Sequence, residues 1–235
     1  MKTILHKAAT RGHADHGWLK TNHTFSFANY QNSERIHFGK LRVLNDDWIA
    51  GGKGFGMHPH DNMEIITIPL SGVVEHKDSM GNNGLITAGE IQVMSAGTGI
   101  YHSEYNGNQT EPLSLLQIWV FSDKKNVTPR YDQFSLSDIS KENQLYQILS
   151  PSANDEGVWI HQQGWFSLGN FTAEWEGSYQ LHSSLSGVYV FVIEGEVEVS
   201  GTELSRRDGL GISEVSQVEL KAKAGSKLLV MEVPM

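Results

Sequence analysis

Two short stretches carry the residue types that chemistry needs: His58-Pro59-His60 and, some forty residues on, His102-Ser103-Glu104. Side chains two apart on a strand point to the same face, roughly 7 Å apart along the backbone. His58 and His60 are therefore strand neighbours, and Pro59 supports this because it holds the residue before it extended and is excluded from a helix interior. His102 and Glu104 share a face by the same rule. Three imidazoles and a carboxylate aimed at one point form the ligand set of a first-row divalent metal with positions left for substrate. A second carboxylate competes for the fourth place: Glu64 lies four residues beyond His60, in phase with both histidines if the strand stays regular.

Composition narrows the chemistry. The 235 residues contain no cysteine, so disulfides, zinc ribbons and thiolate catalysis are excluded and any metal must take nitrogen and oxygen ligands. Lys and Arg number 18 against 27 Asp and Glu, a formal charge of −9 without a long basic run, so direct nucleic-acid binding is not expected. No signal-peptide core and no long apolar run is present, and the expected location is the cytoplasm.

The elements around the two stretches read as strands and tight turns. Residues 113–121 (LSLLQIWVF) form a strongly apolar strand, and turn signals recur at Ser71-Gly72, Asn82-Asn83-Gly84, Ala88-Gly89-Glu90 and Ser95 to Gly99. This run of hairpins predicts an all-β sandwich or barrel. Pro69 marks an edge, rim or bulge. Phe25 and Phe27 alternate as the inward face of a strand, while Leu41, Val43 and Leu44 read as a strand ending in an Asx-type turn at Asn45, Asp46 and Asp47. His13, His16 and His23 do not share a strand face and are assigned structural or pocket-lining roles. The glycines from Gly51 to Gly56 are not a P-loop, since no G-K-[ST] follows.

An internal repeat divides the chain. VFVIEGEVEV at 190–199 resembles TIPLSGVVEH at 67–76, with Gly195 on Gly72. Carried across, His58, His60 and Glu64 become Leu181, Ser183 and Gly187, so the second copy lacks the ligands and reads as scaffold; His182 has the opposite parity and is an ordinary surface or pocket residue. The expected division is a metal-binding half at 1–130, a connector at 131–145 and a second half at 146–235. Within the polar segment from Ser122 to Asn143, Ser137 or Asp138 caps a short helix.

GFGMHPHDNMEIITIPLSG and GEIQVMSAGTGIYHSEYN resemble the two cupin motifs, and with HTFSFANY and VEHKDSMGN they resemble the pirin family of bicupins, including bacterial pirin-like quercetinases. Two departures stand out: Ser95 replaces the usual second-motif proline, and one extra residue separates Glu64 from Gly72, compatible with a bulge beside Pro69 that rotates Glu64 away. The resemblance implies a bicupin of two jelly-roll barrels with a short connecting helix. It also implies one divalent metal held by His58, His60, His102 and Glu104, leaving Glu64 beside the ligands. Iron(II) is the expected metal, with manganese, nickel, copper and zinc suited to the same donors. The implied reaction is O2-dependent opening of a flavonol such as quercetin with loss of carbon monoxide, Glu104 taking the 3-hydroxyl proton. Met57, Phe25, Phe27 and Tyr101 are candidates for the ring site, and His76 and Asp78 for orienting ligands. The contrasting expectation is a redox-responsive coregulator acting through a protein partner, and a third is an oxygenase of another enolisable aromatic. A monomer is expected.

Overall fold

The computed structural model covers residues 1–235 and contains 22 strands and two 3-10 turns. They form two seven-stranded and two four-stranded sheets, one large and one small sheet to each half. In the first half the small sheet carries the strands Gly54–His60 and Ile100–Asn106, and the large sheet carries Leu41–Ile49, Met63–Ser71, Glu90–Ser95 and Leu113–Phe121. The sheets of each half face one another as an antiparallel barrel. No helix is long and apolar enough to cross a membrane.

The two large sheets also pack on each other. Their contact is a core of 25 buried residues drawn from both halves, among them Leu44, Ile66, Ile118, Phe166, Phe191 and Leu229. These strands are buried on both faces, which is why they read as almost unbroken apolar runs. On Met63–Ser71 the even positions Ile66 and Ile68 enter this shared core, while Ile65 and Thr67 turn into the first barrel. A clamp of charge lies in the same interface, where Asp46 accepts from Arg11 of the first half at 3.3 Å and lies 3.0 Å from Nε of Arg207 of the second.

The repeat is real at the level of the hairpin. Gly72 and Gly195 both adopt left-handed backbone (φ 82° and 77°), each turning a nine-residue strand into the next, and at Gly195 a Cβ would meet Ser226 Cα at 2.7 Å. The bulge expected beside Pro69 is present, since pairing with Leu113–Phe121 slips between Ser71 and Pro69.

Four expectations change. Lys2–His6 pairs with Gly209–Ser213, so the first strand completes the second half's sheet and not its own. Arg130–Ser135 pairs with Glu90–Ser95, so part of the expected connector is sheet, and the connecting helix is the single 3-10 turn Leu136–Asp138, entered from Ser135 and not from Ser137 or Asp138. Residues Phe25 and Phe27 lie in a loop, held there because Phe25 is drawn into the core against His6 and Tyr189 while Phe27 packs on Trp119. Leu41–Ile49 does not turn at Asn45: it continues through Asp47, because Asn45 meets His23 and Asp47 borders a cavity on the inner face, and Asp46 has its arginines outside.

Candidate metal centre

The strand Ile100–Asn106 brings the two stretches together, because it pairs with Gly54–His60 on one side and Val73–Asp78 on the other. His102 stands opposite His58 and Asp78, and Glu104 stands opposite His76. A register slip between His102 and Glu104 puts an extra residue on the Gly54–His60 strand. The result is that the rings of His58, His60 and His102 lie 4.4–4.9 Å apart, centroid to centroid.

Nitrogens of these three rings all lie within 4.8 Å of one another. Two ligands on opposite sides of a metal with bonds of about 2.1 Å sit roughly 4.2 Å apart, so small side-chain movements close the cluster on an ion. Three further observations fit. Gly56 O lies 2.7 Å from His58 Nδ1 and can only accept, which places the proton on Nδ1 and leaves Nε2 as the donor atom toward the cluster. His102 is fully buried, yet neither of its nitrogens has a hydrogen-bond partner, an arrangement native interiors avoid unless something else satisfies the ring. Burial, with the neighbouring histidines adding, holds His60 down to about 4 and His102 to about 3, so both are neutral at pH 7 and available as ligands.

Glu104 is placed differently from the three histidines. Its carboxylate groups with His102 and His76, all three buried, with ligand atoms again within 4.8 Å. Thr67 Oγ1 donates to Oε1 at 2.9 Å and Gln117 Nε2 to Oε2 at 2.7 Å, leaving lone pairs on both oxygens. His76 is fully buried, and its Nε2 lies 3.4 Å from Asp78 Oδ2. Glu64 is not in the cluster. Its strand begins after the turn at Asn62 (φ 46°) and lies in the other sheet, so the regular phase with His60 is lost. Its carboxylate accepts from Ser95 at 2.6 Å, and burial pushes it up.

Around the centre the structure redistributes the expected aromatics. Met57 and Tyr101 are more than half exposed and Phe25 lies in the core between the halves. Phe27 meets Trp119 edge-on at 5.3 Å, and Trp119 meets His60 in the same way at 4.9 Å. Thr67, Gln117 and Trp119 were not singled out from sequence, and Asn45 and Asp47 only as turn residues. Their signal was present as polar residues at alternate positions of otherwise apolar strands, Thr67 in EIITIPL and Gln117 in LSLLQIWVF. His13, His16 and His23 line a cavity, and His23 Nδ1 lies 2.8 Å from Asn45 Oδ1.

In the second barrel the corresponding positions are apolar. With Gly195 on Gly72, Val199 and Val190 stand where His76 and Thr67 stand. Val199 pairs with Leu220 as His76 pairs with Glu104, and Val190 pairs with Val230 as Thr67 pairs with Gln117. His182 keeps its surface role, stacked on Trp165 at 4.4 Å with Nδ1 2.8 Å from the buried Glu232.

Two stacked cupin barrels, one lined with imidazoles and the other filled with apolar side chains, define a bicupin. Residues 5–120 match the pirin family model and residues 147–233 the quercetinase C-terminal cupin domain. The chain is 44% identical to quercetin 2,3-dioxygenase of Escherichia coli K12 over 230 residues, covering 98% of both chains. It is 36% identical to a pirin-like protein of Caulobacter vibrioides, covering 94% of this chain and 95% of that one. A crystal structure of bacterial pirin YhhW of E. coli in complex with nickel(II) superposes with a TM-score of 0.93 at 42% identity, covering 99% of each chain. The chain belongs to the pirin family.

Proposed function

We propose that the protein is a metal-dependent dioxygenase that opens the heterocyclic ring of a flavonol such as quercetin with O2 and releases carbon monoxide, acting as a monomer in the cytoplasm. The observation that carries this reading is the convergence of three imidazoles, two of them held neutral by burial, beside a buried carboxylate. The quercetin 2,3-dioxygenase name of a relative 44% identical over 98% of both chains supports the substrate class. His58, His60, His102 and Glu104 are the proposed ligands. Iron(II) suits this donor set, and nickel, which accompanies the related E. coli pirin, suits it too.

When bound, the metal supplies a Lewis-acid charge that favours the anion of the flavonol 3-hydroxyl over its neutral form. The protein supplies the rest. His58 is oriented by its bond to Gly56 O, so its free nitrogen faces the cluster without searching for a tautomer. Glu104 takes the 3-hydroxyl proton onto a carboxylate that Thr67 and Gln117 hold in one orientation. Burial of His102 and Glu104 excludes bulk water from the side where charge changes. Deprotonated flavonol and O2 give the ring-opened ester and carbon monoxide, so no further reductant is consumed.

The test is direct. Metal-loaded protein should consume quercetin only when O2 is present and release carbon monoxide, and His58→Ala or Glu104→Ala should abolish both. Metal-loaded protein that leaves quercetin untouched under O2 sinks the proposal.

A further inference from the structure

A metal at the imidazole cluster leaves His102 with an unmet need. A neutral imidazole that gives one nitrogen to an ion carries a proton on the other, and that N–H requires an acceptor. The ring is fully buried, so bulk water supplies none, and neither nitrogen is hydrogen-bonded within the protein.

Three side chains that can accept stand beside His102, and they are not equally free. Glu104 belongs to the same group of ligand atoms, but it already accepts from Thr67 and Gln117 and is itself a proposed ligand. Asp78, the cross-strand partner of His102, is occupied as well. Its Oδ1 accepts from Met80 N at 2.9 Å and Asn82 N at 3.0 Å, and its Oδ2 from Asn82 Nδ2 at 2.8 Å. The third is His76, whose Nε2 lies 3.4 Å from Asp78 Oδ2. A carboxylate holding those bonds can only accept, so the His76 proton sits on Nε2. That leaves a lone pair on Nδ1, which is buried and has no partner. The His76 and His102 rings are 5.4 Å apart, centroid to centroid, and each has a nitrogen within 4.8 Å of the other's. A buried acceptor without a donor thus stands beside a buried ring that needs an acceptor, and each alone is costly.

The second barrel shows what the pair accompanies. With Gly195 on Gly72, Val199 and Gly201 stand where His76 and Asp78 stand, and Val218, two residues before Leu220, stands where His102 does. The hairpin of Glu196–Val199 with Thr202–Ser205 forms there without either side chain. His76 and Asp78 therefore go with the ligands and not with the strand pairing.

We propose that His76 is a positioning residue for the metal ligand His102: Asp78 fixes the tautomer of His76, and His76 Nδ1 accepts the N–H that His102 bears when its other nitrogen is on the ion. The inference rests on the metal-centre reading above and deepens it. Side-chain movements of the kind that close the three imidazoles on an ion also close this contact. The chain from Asp78 through His76 then sets the plane in which His102 meets the ion and raises the basicity of its ligating nitrogen.

Zinc suits the donor set and is diamagnetic, so the test is 15N NMR of zinc-loaded wild-type protein with labelled histidines. His76 should appear as the Nε2–H tautomer, and a coupling across the hydrogen bond should link its Nδ1 to a nitrogen of His102. His76 protonated on Nδ1, or no such coupling while zinc sits on His58, His60 and His102, overturns the proposal. Variants give a second readout in competition titrations. His76→Leu should lower zinc affinity about 10–100-fold. His76→Asn, whose amide oxygen falls near the place of Nδ1, should keep most of the affinity, whereas His76→Gln, whose amide falls near Nε2, should not. Asp78→Asn should also weaken zinc: Met80 N and Asn82 N hold its oxygen, so its NH2 faces Nε2 and drives the ring proton onto Nδ1. Equal losses in all three His76 variants show packing alone and overturn the proposal. Protein that takes no zinc at these histidines refutes the metal-centre reading and this inference with it. Zinc bound with the coupling present, in a protein whose iron form leaves quercetin untouched under O2, refutes the ring-opening reading alone.

Discussion

Asp47 makes a prediction about stability that needs no substrate. Its carboxyl is raised from an ordinary 3.8 to about 7, chiefly by burial, with Asp46 and Glu104 adding and Thr21 opposing. Between those two values the folded protein holds a proton that the unfolded chain has released. The resulting stability is present at low pH and is lost as pH rises through 7. The full gap corresponds to about 4 kcal/mol, and about 3 kcal/mol of it falls between pH 5 and pH 8. The histidines act in the opposite sense: burial holds His6 and His60 down to about 4 and His102 to about 3, so their contribution is present above pH 6.5 and lost as pH falls toward 4. The wild-type profile alone therefore mixes the two. Asp47→Asn separates them, since the histidines are common to both proteins and cancel in the difference. With metal removed by chelator, urea unfolding at pH 5, 6, 7 and 8 should show the variant gaining on the wild type by about 3 kcal/mol across that range. A difference that stays flat from pH 5 to pH 8 would refute the claim that Asp47 is desolvated.

Two substitutions test the parts that position the site. Gln117→Leu removes the donor to Glu104 Oε2 while leaving the apolar strand intact, and metal affinity measured by competition titration should fall about 10–100-fold, with unchanged affinity counting against Gln117 as the support of a ligand. Asp46→Ala leaves Arg11 and Arg207, whose side chains are 5% and 9% exposed, without their shared carboxylate, and should cost about 3–5 kcal/mol in urea unfolding. A loss under about 1 kcal/mol would mean that the clamp is hydrated and not a pairing that holds the halves together.

Much of the site was legible because its spacing is local. His58 with His60 and His102 with Glu104 are each placed by strand parity, and the turn glycines between the two pairs, Gly72, Gly89 and Gly97, announce themselves. The rest was not local. Whether Glu64 stays in phase with His60 depends on a turn at Asn62 that moves the chain into another sheet. Asn45-Asp46-Asp47 has the composition of a turn, and only the partners on either side, His23 within the barrel and the arginines outside, make it continue as strand. Phe25 and Phe27 alternate like a strand but are pulled to different places by tertiary contacts. For Asn45 to Asp47 and for the two phenylalanines, propensity was overridden by partners distant in sequence.

The same logic explains why the chemistry sits in one barrel. Inside the second barrel 16 buried apolar residues form a single cluster; inside the first the apolar residues divide into clusters of six and four, with His76, His102, Glu104, Thr67, Gln92 and Asp47 among the buried polar groups. A barrel so lined with polar groups gives up apolar burial and pays for desolvation besides. The 25-residue core shared with the second half, closed by the first strand crossing into the second half's sheet, supplies stability from outside the barrel. Replacing His76, Thr67, Glu104 and Gln117 by Val199, Val190, Leu220 and Val230 is what lets the second copy serve as that support. The second barrel is therefore part of the site's construction, because the polar interior of the first packs against a neighbour whose interior is largely apolar.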